Sequence, residues 1–348
     1  MIDFSEKICC SEVRVKIGRE VLGELDSLQG KKGIVHPRTL RTQLKADLDI
    51  EIEDGERGKD ISVAMRIVDE LLSSGFTRGD YLIAMGGGTV LDVTGFSASI
   101  FMRGLNLINV PTTLLGMVDA AIGGKNGVNY RLAKNMIGTF YQPFMIVEDL
   151  SFLDTLPVEE FRRGMAEVIK YALVLDKELY DFLSLNHDSI MKRNQDVLEK
   201  VIYSSVKDKL FVVSEDERET KGVRIVLNFG HTIGHAIEAG SDFKVPHGLA
   251  ISVGMVCEAK IAEEMGYAEE GVVEDVLWLL QLYGLPISMD QLNAKVEVER
   301  ALKSMLMDKK RRGEETLMPF PTRIGNWRSV SVPNDTLVSF SKQCLGGN

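Results

Sequence analysis

Over its first 150 residues the chain alternates short apolar runs with amphipathic stretches, a pattern that predicts a mainly parallel α/β layer. The predicted strands are 13–17, 33–36, 81–85, 106–110 and 144–147. Between them, Ile61, Ala64, Met65, Val68, Leu71 and Leu72 recur at helical spacing and form one buried face over 61–73. The texture changes after Val147. Pro157 followed by Glu159 and Glu160 predicts a helix start, because proline has no N–H to lose in a first turn and acids suit its positive end. From there to about Leu282 the pattern is almost wholly helical, and beyond it less regular. Two domains are therefore expected, an α/β domain at 1–150 and an all-α domain at 151–348.

Composition narrows the class. A chain of 348 residues, 45% hydrophobic and 26% charged, can bury a core without a structural metal, so any metal site is expected to be catalytic. The net charge of −10 argues against nucleic-acid or anionic-membrane partners, yet allows a local basic pocket. Cys9, Cys10, Cys257 and Cys344 form no CxxC pair and read as reduced thiols of a cytoplasmic protein. The N-terminus MIDFSEKICC shows no secretion signal, and no apolar run approaches the roughly 18 residues needed to span a bilayer.

Gly86-Gly87-Gly88 runs from a strand into a helix, where glycines admit a diphosphate to the helix N-terminus. Leu91 breaks the GxGxxG pattern and no GK[ST] follows, so an ATP-type P-loop is not expected. Thr112 and Thr113 end the next strand with two hydroxyls. Asp119, Gly123, Gly124 and Lys125 then add a carboxylate, a turn and a cation. Three such loops at strand ends favour a nucleotide over three tight turns.

His231 and His235 lie one helical turn apart. A zinc protease needs Glu directly after the first histidine, and Thr232 stands there. His247 completes a group of three among only five histidines in the chain. Two histidines and a carboxylate make an open catalytic zinc site, and Glu167, on a mostly apolar helix, is the best carboxylate. Lys125, Lys134, Lys170, Lys209, Arg224, Lys309 and Lys310 are the cations that stand out, most of them near glycines, amides or candidate ligands, Asn135 and Asn228 among the amides. Such donors suit a phosphate or a carboxylate.

These motifs together resemble the 3-dehydroquinate synthases, a sugar-phosphate cyclase family, from about Gly55 to Gly325. The matching segments are MGGGTVLDVTGF, VPTTLLGMVDAAIGGKNGVN, KNMIGTFYQP, GMAEVIKY, DERE, LNFGHTIGHAIE, HG and DKK. The resemblance implies a homodimer, each chain with a Rossmann-like NAD-binding domain and a helical domain. It implies the second step of the shikimate pathway, 3-deoxy-D-arabino-heptulosonate 7-phosphate to 3-dehydroquinate and phosphate, through transient oxidation, elimination, reduction and aldol closure. Zinc would be held by Glu167, His231 and His247, and cobalt could take the same ligands. NAD would meet Glu56, Lys59, Gly86, Gly87, Gly88, Asp92, Thr112, Thr113, Asp119, Lys125, Lys134, Phe152, Thr155 and Glu160. The substrate would meet Arg103, reaching across the dimer, with Lys125, Lys134, Asn135, Lys170, Lys209, Arg224, Asn228, His235, Lys309 and Lys310. His235 and Lys170 would stand nearest proton transfer and phosphate loss.

Two positions depart from the family pattern. Leu249 replaces the usual Glu after His247-Gly248, which removes a partner for a metal ligand unless another residue supplies it. Arg38, after the second predicted strand, leaves NAD or NADP open. The rival readings are a cyclase for a neutral sugar phosphate (deoxy-scyllo-inosose or valiolone type), a glycerol-type metal alcohol dehydrogenase, and a nucleotide-binding regulatory module.

Overall fold

The structure is a computed structural model that describes residues 1–346 apart from 10, 43, 132 and 306–310. Its chain divides into two compact units, Met1–Pro157 with Leu198–Arg218, and Val158–Val197 with Glu219–Asn348.

The first unit is built on seven strands: β1 (Ile2–Ile8), β2 (Ser11–Gly18), β3 (Lys32–Pro37), β4 (Leu48–Ile52), β5 (Tyr81–Gly86), β6 (Asn106–Pro111) and, after a separate hairpin of β7 (Lys125–Tyr130) and β8 (Ala133–Phe140), β9 (Met145–Asp149). The spatial order is β1-β2-β9-β6-β5-β3-β4, parallel throughout except for the β1–β2 hairpin. All five predicted strands form, with ends shifted by no more than two residues. Ile34, Ile83, Met85, Ile108, Val110, Met145 and Val147 build the core on one face. Around the sheet run α1 (Ile61–Ser73), α2 (Gly88–Ile100) and α3 (Phe152–Thr155). The strand order reverses between β3, whose next strand lies outward, and β5, which returns to its other side. That is the switch point where open α/β sheets take ligands, and Gly86–Gly88 stand at it.

The second unit is mainly helical, though not the all-α domain expected over 151–348: α4 (Val158–Val174), α5 (Lys177–Met191), α7 (His231–Gly240), α8 (His247–Glu264), α9 (Val272–Leu282), α10 (Val298–Met305) and α11 (Asn334–Gly346). The intervening α6 (Gln195–Glu215) belongs to the first unit from Leu198 onward. The irregular stretch beyond Leu282 includes a small antiparallel sheet of β10 (Arg311–Arg312), β11 (Glu315–Arg323) and β12 (Asn326–Pro333). Among the described residues no helix is long and apolar enough to cross a membrane.

Cys257 of α8 and Cys344 of α11 form a disulfide with a Cα–Cα distance of 5.9 Å, which corrects the expectation of reduced thiols. Its partners are 87 residues apart and meet only when α11 packs on α8, so no spacing rule could reveal it. A cross-link closing a loop of this kind stabilises a fold by about 2–4 kcal/mol. Peptide mapping without reductant is expected to recover the Cys257 and Cys344 peptides as one species, and Cys344→Ser to lower Tm by several degrees. Separate peptides would exclude the bond.

Candidate metal centre and nucleotide turns

Three helices of the second unit supply the predicted donors. From Gly164 to Val174 every residue of α4 is buried, so Glu167 and Lys170, one turn apart, both face a dry interior. Buried charges of this kind persist as a hydrogen-bonded pair. Lys170 donates to Glu167 Oε2 and, at 2.8 Å, to the Leu227 carbonyl. Burial alone would raise the Glu167 carboxyl. The Lys170 ammonium, then His231 and His247, reverse this and hold it well below the usual carboxylate range.

His231 opens α7 and His247 opens α8, and glycine allows these helix starts to converge. A Cβ on Gly254 of α8 would lie 2.0 Å from the Gly230 carbonyl oxygen, and one on Gly248 2.2 Å from that of Arg163 in α4. Helix α8 is thereby held against both α7 and α4. His231 Nε2 and His247 Nε2 each lie 3.3 Å from Glu167 Oε1, and the three donor atoms fall within 4.8 Å of one another. Zinc–ligand bonds of about 2.0–2.1 Å in a tetrahedron set donors roughly 3.3 Å apart. The donor set therefore fits a zinc-sized dication, with a coordination position left for substrate.

The far side of each ring is anchored. His231 Nδ1 donates to the Phe229 carbonyl at 3.1 Å and His247 Nδ1 to Glu238 Oε2 at 3.3 Å, which turns both Nε2 atoms toward Glu167. Burial presses His231 below the ordinary imidazole value. It presses His247 down too, but hydrogen bonds to Glu167 and Glu238 outweigh it and take that ring up to about 10. Glu238 supplies the partner that Leu249 lacks, while Leu249 packs against the apolar core of this unit. Sequence reasoning missed Glu238, although its offsets of seven from His231 and three from His235 put all three on one helical face.

His235 is exposed, with Nε2 3.9 Å from Glu238 Oε2 and its ring 5.3 Å from that of His231. With Glu238 and His247 it makes a second metal-capable group, more exposed than the first. The turn Arg224–Asn228 is drawn beside Lys170 by the Leu227 bond, with Arg224 buried and Asn228 half-buried. Glu160 of α4 pairs with Arg163. Lys309 and Lys310 lie outside the described residues.

In the first unit the glycine turn and the threonines come together. Thr112 N–H donates to the Gly86 carbonyl at 3.0 Å, and Thr113 Oγ1 accepts from Gly116 N–H at 3.0 Å. Asp92 on α2 pairs with buried Lys59; burial pushes its carboxyl up, with Lys59 opposing. Lys209 donates to Asp119. Glu56 accepts from Asn129 at 2.8 Å and lies 3.4 Å from Lys134. Phe152 and Thr155 bound α3. Lys125, Asn135 and Arg103 are exposed, the last two on left-handed backbone (φ 51° and 65°). Arg38 is exposed 3.9 Å from Glu51, and His36 lies 2.7 Å from Asp49.

Family models described as 3-dehydroquinate synthase N-terminal and C-terminal match residues 49–163 and 164–311. The chain is 59% identical to a 3-dehydroquinate synthase of Sulfurisphaera tokodaii over 98% of this chain and 99% of that one. Among solved structures, a 2-deoxy-scyllo-inosose synthase complexed with carbaglucose-6-phosphate, NAD+ and Co2+ superposes with a TM-score of 0.86 at 26% identity, covering 98% of this chain and 100% of the other. A 2-epi-5-epi-valiolone synthase from Streptomyces hygroscopicus with NAD+ and Zn2+ bound gives 0.83 at 26% identity, covering 98% and 99%.

Proposed function

The chain belongs to the 3-dehydroquinate synthase family, and we propose that it converts 3-deoxy-D-arabino-heptulosonate 7-phosphate into 3-dehydroquinate and phosphate. In class it is a carbon–oxygen lyase, working in the cytoplasm as a homodimer. The sharpest support is the identity of 59% with a synthase of that name, against 26% with cyclases of other sugars. The site agrees in kind: Lys170 and Arg224 are buried cations suited to a substrate that carries both a carboxylate and a phosphate.

Glu167, His231 and His247 would hold zinc, or cobalt as in one solved relative, and Gly86, Gly87, Gly88, Thr112 and Thr113 would take NAD. When bound, the metal would supply Lewis acidity to a substrate hydroxyl, and NAD+ would take up a hydride and return it within each turnover. The chain's own residues prepare and orient. Lys170 keeps Glu167 ionised. Glu238 keeps the proton on His247 Nδ1. His235, exposed next to both other histidines, is placed to exchange a proton with substrate. Asn228 and Arg224, beside Lys170, are assigned to substrate oxygens. The exposed Arg103, on a left-handed turn, is assigned to the neighbouring subunit's substrate.

The test supplies the heptulosonate phosphate with zinc and substoichiometric NAD. Phosphate and 3-dehydroquinate are expected in equal amounts without NADH accumulation. Turnover of a neutral sugar phosphate instead would favour the other cyclases, and stoichiometric NADH a dehydrogenase.

A further inference from the structure

Glu258 lies three turns into α8 from His247 and is 0% exposed. Its carboxylate accepts three backbone N–H groups at the start of α7: Gly230 at 2.8 Å on Oε2, Thr232 at 3.0 Å and Ile233 at 3.2 Å on Oε1. These donors bracket His231. The cap position of α7 is itself Gly230, which has no side chain to bind them, so the cap comes from the neighbouring helix.

Of the side chains of this size only a carboxylate offers both oxygens as acceptors to these three N–H groups, and burying it carries a desolvation cost. The charge has a further use. Both α7 and α8 begin on a proposed ligand, and a helix start carries about half a positive charge. Lys170 brings a further positive charge to Glu167. Left alone, these groups repel a dication. We propose that Glu258 is a positioning residue of the metal centre. It fixes His231 through the backbone on either side of it, and its negative charge offsets the positive end of α7 so that a dication can be held. This inference rests on the proposed ligands Glu167, His231 and His247.

Glu258→Gln keeps the bulk and one acceptor oxygen and removes the charge. Zinc affinity of the chelated protein is measured by competition with a chromophoric chelator, beside the Co(II) absorption bands and the Tm of metal-free protein. The variant is expected to bind zinc roughly 10–100-fold more weakly with shifted Co(II) bands, as for other residues that support metal ligands. Its metal-free Tm should fall by only a few degrees. Zinc affinity and Co(II) bands unchanged, with only Tm lowered, would reduce Glu258 to a helix cap and overturn the proposal. Should this variant fail to fold, Glu258→Asp carries the test: it keeps the charge but withdraws the oxygens by one methylene, and an unchanged Co(II) spectrum would likewise overturn the positioning role. Glu167→Ala distinguishes the underlying reading, since zinc binding as tight as wild type there would remove the ligand set and this inference with it.

Discussion

His247→Ala is expected to abolish stoichiometric zinc and to lower kcat/KM by about a thousandfold or more, while the metal-free fold survives. The substitution removes one of three converging donors and leaves Glu167 Oε1 with His231 Nε2, too few to hold the ion in an open catalytic site. A Lewis acid that stabilises developing charge is worth several kcal/mol, and each 1.36 kcal/mol is about tenfold in rate. The fold should tolerate the change because His247 is partly exposed at the first position of α8, where alanine is a good helix former. Metal content after gel filtration, phosphate release, and melting with and without zinc separate these effects. Wild type should gain stability from zinc through binding to the folded state alone, and the variant should not. A variant that retains one zinc per chain would remove His247 from the ligand set.

What could be read from the sequence divides by the range of the interaction. Strands β3, β5, β6 and β9 are covered on both faces and appear as short, nearly continuous apolar runs, so they were legible. Strand β1 alternates half-buried and exposed residues beside β2, and β4 is a short edge strand, so neither stands out. Strand β11 carries Pro319 and Pro321, which argue against a strand; among the described residues β10 pairs only with Thr316 and Glu315, so no described ladder bond on that side falls at either proline. At the site, the one-turn spacing of His231 and His235 and the oddity of Glu167 in an apolar helix were local signals. The anchoring of His247 by Glu238, the clasp of Glu258 on α7 and the Cys257–Cys344 bond depend on how helices pack; of these only Glu238 left a local trace, its helical register with His231 and His235. Leu249 shows the same limit from the other side: a missing partner was visible, but its replacement lay nine residues before His247, on another helix.

Lys170 makes the sharpest stability test because its role changes with the metal. Lys170→Met keeps most of the bulk and deletes the charge, which leaves Glu167 fully buried with its main counter-ion gone and strips a donor from the Leu227 carbonyl. Breaking a buried ion pair from one side costs about 3–5 kcal/mol. In a unit of this size that corresponds to a fall in Tm on the order of 10 °C for metal-free protein. A bound dication would restore positive charge beside Glu167, so saturating zinc is expected to recover a large part of the loss. The variant should then gain more from zinc than wild type does, although its turnover falls because Lys170 is also assigned to substrate. Melting curves of chelated and zinc-saturated samples of both proteins give the comparison directly. An equal loss in both states would mean that Lys170 stabilises α4 by packing alone and is not coupled electrostatically to the metal centre.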